Sequence, residues 1–428
     1  MPTAAVQRTA RSNAIASDRY TESTMPELSP DKSLRASPTS SSADPAPRLL
    51  SLDAFRGLTI LAMILVNDPG TWEHVYWPLE HAKWQGWTPT DLVFPFFLFI
   101  VGTSLAYSLR RFRQSDATSP QHVAPAVYWR IARRTLALIL LGLIVNHAWP
   151  ICDWLFGHAR WPGFDTLRIP GVLQRIALVY LAASLLALHA SVRAQILIAL
   201  AILLGYWALL GLLPNPHNYQ SNLSPDGNVI RIVDRAIFGE AHLYTQCREE
   251  PTDPEGLLST LPATVTALAG YWTGLFIQRR GVSARTVLLL IAVGLAIAIL
   301  GQTWGLWFPI SKKMWTSSFV LLTAGLATIG LAICLGLFDL LGRRRLAHPF
   351  QIAGLNAIAA YMLSELGATL LGTTHIAGNS TQGWLYETAF TSWIADPQLS
   401  SLAFAIAFTF CCWLLLWGLS RRGWMWRV

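Results

Sequence analysis

Ten apolar runs, each close to the length of a membrane crossing, limit what this sequence can fold into. They cover residues 52–68, 91–109, 131–148, 170–188, 194–213, 257–278, 286–303, 315–338, 350–372 and 400–419. An α-helix needs about 20 predominantly apolar residues to cross hydrocarbon. There the chain must satisfy its own backbone N–H and C=O groups, which favours helices and rules out open sheet edges. Composition points the same way: 53% of the 428 residues are hydrophobic and 13% are charged, against about 25% charged in a soluble domain. The expected fold class is all-α, a polytopic membrane protein with about ten transmembrane helices and the lipid bilayer as its surroundings. No internal repeat is visible. Residues 1–48 are rich in Ser, Ala, Pro and Thr and bury too little apolar surface to offset the entropy of ordering, so they are expected to be disordered. They contain no apolar stretch of the secretory-signal kind. Residues 49–428 form the membrane domain.

A net charge of +8 does not point to nucleic acid here, because the basic residues sit in short loops between apolar runs. Sixteen Lys and Arg fall in the loops of one side, as in Arg110, Arg111 and Arg113 or Arg343, Arg344 and Arg345, and eight in the loops of the other. Basic residues accumulate on the cytoplasmic side of membrane proteins. Both termini are therefore expected in the cytoplasm, the membrane is read as a bacterial inner membrane, and the loop before residue 91 lies outside. Among the five cysteines, Cys334, Cys411 and Cys412 lie in apolar runs. Cys152 and Cys247 fall in outer loops, where an oxidising compartment would permit a disulfide.

Ionisable groups inside a bilayer are costly and usually face a cavity or a partner. In "SLDAFRGLTILAMILVN", Asp53 and Arg56 share a face. Arg56 and Asn67 lie eleven residues apart, which brings them onto one stripe about 16 Å long. Asp53 and Arg56 either anchor the helix end or begin a polar track through the membrane. Arg175, a turn inside "LRIPGVLQRIALVY", either snorkels to the surface or faces a central cavity. Asn356, Tyr361, Ser364 and Glu365 interrupt the ninth run, and Glu365 needs a partner or a wet cavity. Asp253 and Glu255 in "TDPEGLL" have the chemistry of a helix start. Lys312 and Lys313 stand at an outer helix entrance, where they would meet an anionic group or the acidic outer loops. His81 precedes Asp91 in "HAKWQGWTPTDLVFP". No zinc-ligand spacing surrounds it, and neither G-x-S-x-G nor a Walker loop is present, so no metal is expected.

The words "SLDAFRGLTILAMILVN", "HAKWQGWTPTDLVFPFFLFIVGTS", "LRIPGVLQRIALVY", "DRAIFGEAHLY", "TDPEGLL", "KKMWTSSFVL" and "GLNAIAAY" occur in the order and spacing of a known family. From about residue 49 to 428 the chain resembles the transmembrane acetyltransferases related to heparan-α-glucosaminide N-acetyltransferase. The resemblance implies that acetyl-CoA enters from the cytoplasm and that its acetyl group reaches a glucosamine amine across the membrane. It maps the active-site histidine to His81, with Asn67 and Asp91 as its companions.

Acyl transfer to an amine requires a base, because only the free amine is nucleophilic, and histidine suits that task near neutral pH. A carboxylate on the other ring nitrogen would set the tautomer. Asn67 would donate to the thioester oxygen as charge develops on it. The phosphates of CoA need cations, so Arg56, Asn356 and Arg175 are the expected cofactor contacts. Asp253, Glu255, Lys313 and Glu365 are the expected contacts of the sugar. The expected partners are a small amino-sugar acceptor and the bilayer, with a homodimer left open and no nucleic acid. Two other functions compete. One is a transporter for N-acetylglucosamine or a related sugar, although inverted repeats and paired broken helices are not visible. The other is an O-acyltransferase of a surface glycan.

Overall fold

The computed structural model describes residues 49–110, 124–212, 223–225, 227–244 and 252–424. The expected disorder of residues 1–48 and the thiol of Cys247 lie outside these. Cys152 carries a free thiol.

Among the described residues the regular structure of the membrane domain is helical apart from one two-residue hairpin, β1 (His375–Ile376) with β2 (Asn379–Ser380). Its helices are α1 (Leu50–Asn67), α2 (Val93–Ser108), α3 (Pro125–Leu155), α4 (Val172–His189), α5 (Val192–Gly211), α6 (Val229–Phe238) and α7 (Thr260–Arg280). There follow α8 (Ala284–Trp304), α9 (Ser317–Cys334), α10 (Arg344–Leu355), α11 (Ala357–Thr373), the short α12 (Thr381–Tyr386) and α13 (Pro397–Arg421). Eight helices among the described residues are long and apolar enough to cross a membrane, or nine if the bent pair α10–α11 is one span. The sixth apolar run, 257–278, forms α7, which has the length but is not among them. Its sequence "TLPATVTALAGYWTGLF" dilutes the aliphatic residues with Thr, Gly and aromatic side chains, and most of the helix is buried within the bundle. A helix wrapped by other helices need not be as apolar as one facing lipid.

Two helix pairs approach so closely that only glycine fits. A Cβ on Gly102 of α2 would overlap the carbonyl of Ala267, and one on Gly270 of α7 would overlap that of Phe99. The same relation joins Gly57 of α1 to Phe350, and Gly354 of α10 to the Asp53 carbonyl. Small residues are the usual way for membrane helices to gain dispersion contact, since lipid offers no hydrophobic drive for them to associate. The N-terminus of α1 lacks a cap of its own. Asp339, in a π-helical turn after α9, accepts the Leu50 and Ser51 N–H groups at 3.1 and 3.0 Å.

The ninth run departs from the expectation of unbroken spans. It forms α10 and α11, which meet at 69° with Asn356 between them at φ −120° and ψ 33°. Pro349 lies inside α10, and proline removes a helical hydrogen bond and crowds the preceding turn. This is the one such bent pair among the described residues, so the paired breaks typical of inverted-repeat transporters are not seen there.

Candidate active site

The segments between successive spans alternate between the two ends of the bundle. Those at 68–92, 156–171, 223–225, 227–244, 252–259 and 305–316 therefore share one end, together with the C-terminal half of α11. Direct hydrogen bonds stitch these segments together. Trp84 Nε1 donates to the Leu223 carbonyl at 2.7 Å, Ser311 Oγ donates to the Trp84 carbonyl at 2.7 Å, and Gly86 N–H donates to the Ile310 carbonyl at 2.7 Å. Ile169 N–H donates to the His242 carbonyl at 2.9 Å.

At the entry to α2, Thr88 and Asp91 form a capping box around a 3-10 turn. In this arrangement the side chain at N3 reaches back to the N-cap N–H. Asp91 Oδ2 accepts the Thr88 N–H at 3.0 Å and the Ala82 N–H at 3.1 Å. The second oxygen, Oδ1, faces His81 Nδ1 at 2.8 Å. Helix-start geometry thus buries the carboxylate and aims it at the imidazole. Asp91 side-chain exposure is 1%, whereas that of His81 is 37%, so the ring remains reachable from outside. With Asp91 ionised, Nδ1 carries the proton and Nε2 is free to accept one. Lys312 completes the group: its Nζ lies 3.1 Å from Nδ1, 3.4 Å from Nε2 and 3.7 Å from Asp91 Oδ1. Burial lowers the His81 pKa below the ordinary histidine value, Lys312 lowers it further, and Asp91 and Glu255 oppose this without restoring it.

A second group adjoins the first. Arg168 donates from Nε and Nη2 to Asp253 at 3.0 and 2.7 Å, and from Nη2 to Glu255 at 2.7 Å. Its guanidinium stacks on the Tyr244 ring at 4.5 Å. Burial opposes the charge on Arg168, but the two carboxylates outweigh it and hold the group firmly protonated. Asp234, from α6, accepts the Leu257 N–H at 2.9 Å and the Leu258 N–H at 3.3 Å. Burial pushes its carboxyl up to about 6. These bonds fix the loop that carries Asp253 and Glu255. Asn67, at the end of α1, adjoins Glu365 of α11, and Glu365 feels both Arg168 and Glu255.

Of the residues singled out in the sequence, His81, Asp91, Asn67, Asp253, Glu255 and Glu365 converge at this end. Arg175 is separated from Arg56 and Asn356, with which it was expected to share a cofactor site. It is buried, donates from Nη2 to the Gly256 carbonyl at 3.0 Å and to Ser259 Oγ, and stacks on Trp315 at 4.9 Å. Chain direction explains this: α1 ends where α4 begins, so a residue one turn into α4 lies at the Asn67 end of the bundle rather than the Arg56 end. At the opposite end, Arg56 donates to Ser104 Oγ at 2.6 Å and to the Asp53 carboxylate and Gly354 carbonyl at 3.4 Å each. Gly354 precedes the break at Asn356. Of the two lysines, Lys312 reaches His81. Arg168 was legible only as a surface charge, since its partners lie about 85 residues away. Among the described residues no three His, Cys, Asp or Glu side chains converge as a metal-ion site.

A polytopic helical membrane protein with a histidine–carboxylate pair held at one end of its bundle is the class defined by this fold and site. Residues 48–303 match the family described as heparan-alpha-glucosaminide N-acetyltransferase, catalytic, and the chain belongs to that family. It is 28% identical over 368 residues to the human heparan-alpha-glucosaminide N-acetyltransferase, covering 75% of this chain and 53% of the human protein. The mouse protein of the same name is 28% identical over 385 residues, 78% of this chain and 56% of its own length. The chain thus spans about half the length of the curated relatives it matches. The matched region holds His81, Asp91, Arg168, Arg175, Asp253 and Glu255.

Proposed function

We propose that this chain transfers acetyl from cytoplasmic acetyl-CoA to the amine of a glucosamine-type sugar on the outer side of a bacterial inner membrane. The observation that carries this reading is the His81 Nδ1–Asp91 Oδ1 contact of 2.8 Å at an exposed loop. It leaves Nε2 as a base directed away from a buried carboxylate. The amine nitrogen attacks the thioester carbonyl, its proton passes to Nε2, the C–N bond forms and the C–S bond breaks. The proton is then available to the departing thiolate. Asn67, Glu365, Glu255 and Asp253 are suited to the hydroxyls and amine of the sugar. Arg56 and Asn356, at the other end of α1, are assigned to the anionic part of CoA, because arginine binds phosphate in a bidentate manner. Both termini then lie in the cytoplasm.

The test uses purified protein in liposomes, with acetyl-CoA on one side and labelled glucosamine on the other. N-acetylglucosamine should form with the native chain. The His81→Ala variant should lose about 10²–10⁴-fold in rate while still binding acetyl-CoA. Full activity in His81→Ala would overturn the role of the histidine. Uptake of N-acetylglucosamine without acetyl-CoA would favour a transporter. Acetylation of an amine-free glycan would favour an O-acyltransferase.

A further inference from the structure

Among the described residues, Lys312 is the cation in contact with the His81–Asp91 pair, and its position is built rather than incidental. The turn that carries it is tied to the His81 loop through Ser311 and Ile310. Trp315, at the end of the same turn, is fully buried and has φ 50°. A bulky L-residue holds such a conformation only where its surroundings over-determine it. Phe94 and Phe319 meet the Trp315 ring edge to face at 5.3 and 5.4 Å, and Arg175 stacks on it.

The ammonium is almost equidistant from the two ring nitrogens, at 3.1 and 3.4 Å. It therefore stands beside the ring rather than replacing Asp91 on the Nδ1 axis. The charged groups facing His81 are Asp91, Lys312 and Glu255, and Glu255 is already paired with Arg168. A second cation at this spot, an imidazolium, would sit against the first.

We propose that Lys312 is a positioning residue of this site: its ammonium, held against the His81 ring, keeps the imidazole neutral and ready to accept a proton. One positive charge is shared between two bases. It stays on the lysine, the stronger base, even though burial lowers the Lys312 pKa against the pull of Asp91 and Glu255. The role in acetyl transfer rests on the function proposed above, but the protonation state of His81 is measurable without it.

Diethylpyrocarbonate acylates imidazole only in its neutral form. Its reaction with His81, followed by mass spectrometry of the peptide over a pH series, reports that state in the folded, detergent-solubilised chain. Half-maximal modification of the native protein should fall below the ordinary histidine value of about 6.5. Lys312→Met should raise that midpoint by about one unit or more, and Lys312→Arg should leave it low. An unmoved midpoint in Lys312→Met overturns the proposal. So does a native midpoint at or above 6.5, which decides the matter even if Lys312→Met folds poorly. If the midpoints behave as stated while the native chain acetylates no amine, the positioning role stands and the acetyltransferase reading fails.

Discussion

Asp91 illustrates how one side chain serves structure and chemistry together. One oxygen caps the entry to α2 through Thr88 and Ala82, and the other faces the imidazole. An asparagine could still accept one backbone N–H, but its amide could also turn an N–H toward Nδ1. The imidazole would then carry its proton on Nε2 and lose its function as a base. Asp91→Asn should therefore lower the acetyl-transfer rate by about 10⁴-fold or somewhat less, by analogy with the tautomer effect in hydrolytic triads, with acetyl-CoA binding unchanged. A rate within a few-fold of native would show that other groups orient the ring. The pH profile follows from the lowered His81 pKa. A base works in its deprotonated form, so lowering its pKa preserves activity to more acid pH. After correction for the free-amine fraction of the acceptor, kcat/KM should fall on an acid limb below about pH 6.5. A limb above that value would contradict the electrostatics described.

At the scale of elements, α2 and α7 depend on absent side chains. Gly102 and Gly270 allow each helix to rest on the backbone of the other. Even alanine would overlap a carbonyl at either position, so Gly102→Ala and Gly270→Ala should each lower the melting temperature in detergent, and leucine should abolish folding. Gly205 of α5 is the control, because a Cβ there meets nothing within 4 Å. Gly205→Ala should be neutral or stabilising by up to about 1 kcal/mol through helix propensity. Equal effects at Gly102 and Gly205 would remove close packing as the explanation. Both glycines are plain in the sequence but their partners are not, since Gly102 and Ala267 meet only when two distant spans pack together.

For the whole molecule, the alternation of spans and the uneven distribution of Arg and Lys make one topological claim. Reporters fused after residue 85, in the His81 loop, and after residue 345, at the start of α10, should report opposite sides of the membrane, with residue 345 cytoplasmic. The same side for both would reject the topology, and with it the separation of CoA phosphates from acceptor amine.

Hydrophobicity is a local property summed along the chain, so the membrane class, the all-α fold and the approximate limits of the spans are legible in the amino-acid order alone. The capping box at Thr88 and Asp91 is equally local, and it marks Asp91 as the start of a helix. What surrounds His81 is not local. Lys312 comes from a turn about 231 residues away, and Arg168 meets Asp253 and Glu255 across two loops. Arg175 belongs with Trp315 and not with Arg56, because helix direction decides which end of the bundle a residue occupies. The bend at Asn356 is hidden for the same reason: hydropathy averages over a run and is blind to the angle at which its two halves pack. Covalent order and burial preference determined the elements, while packing in three dimensions decided which charges stand side by side.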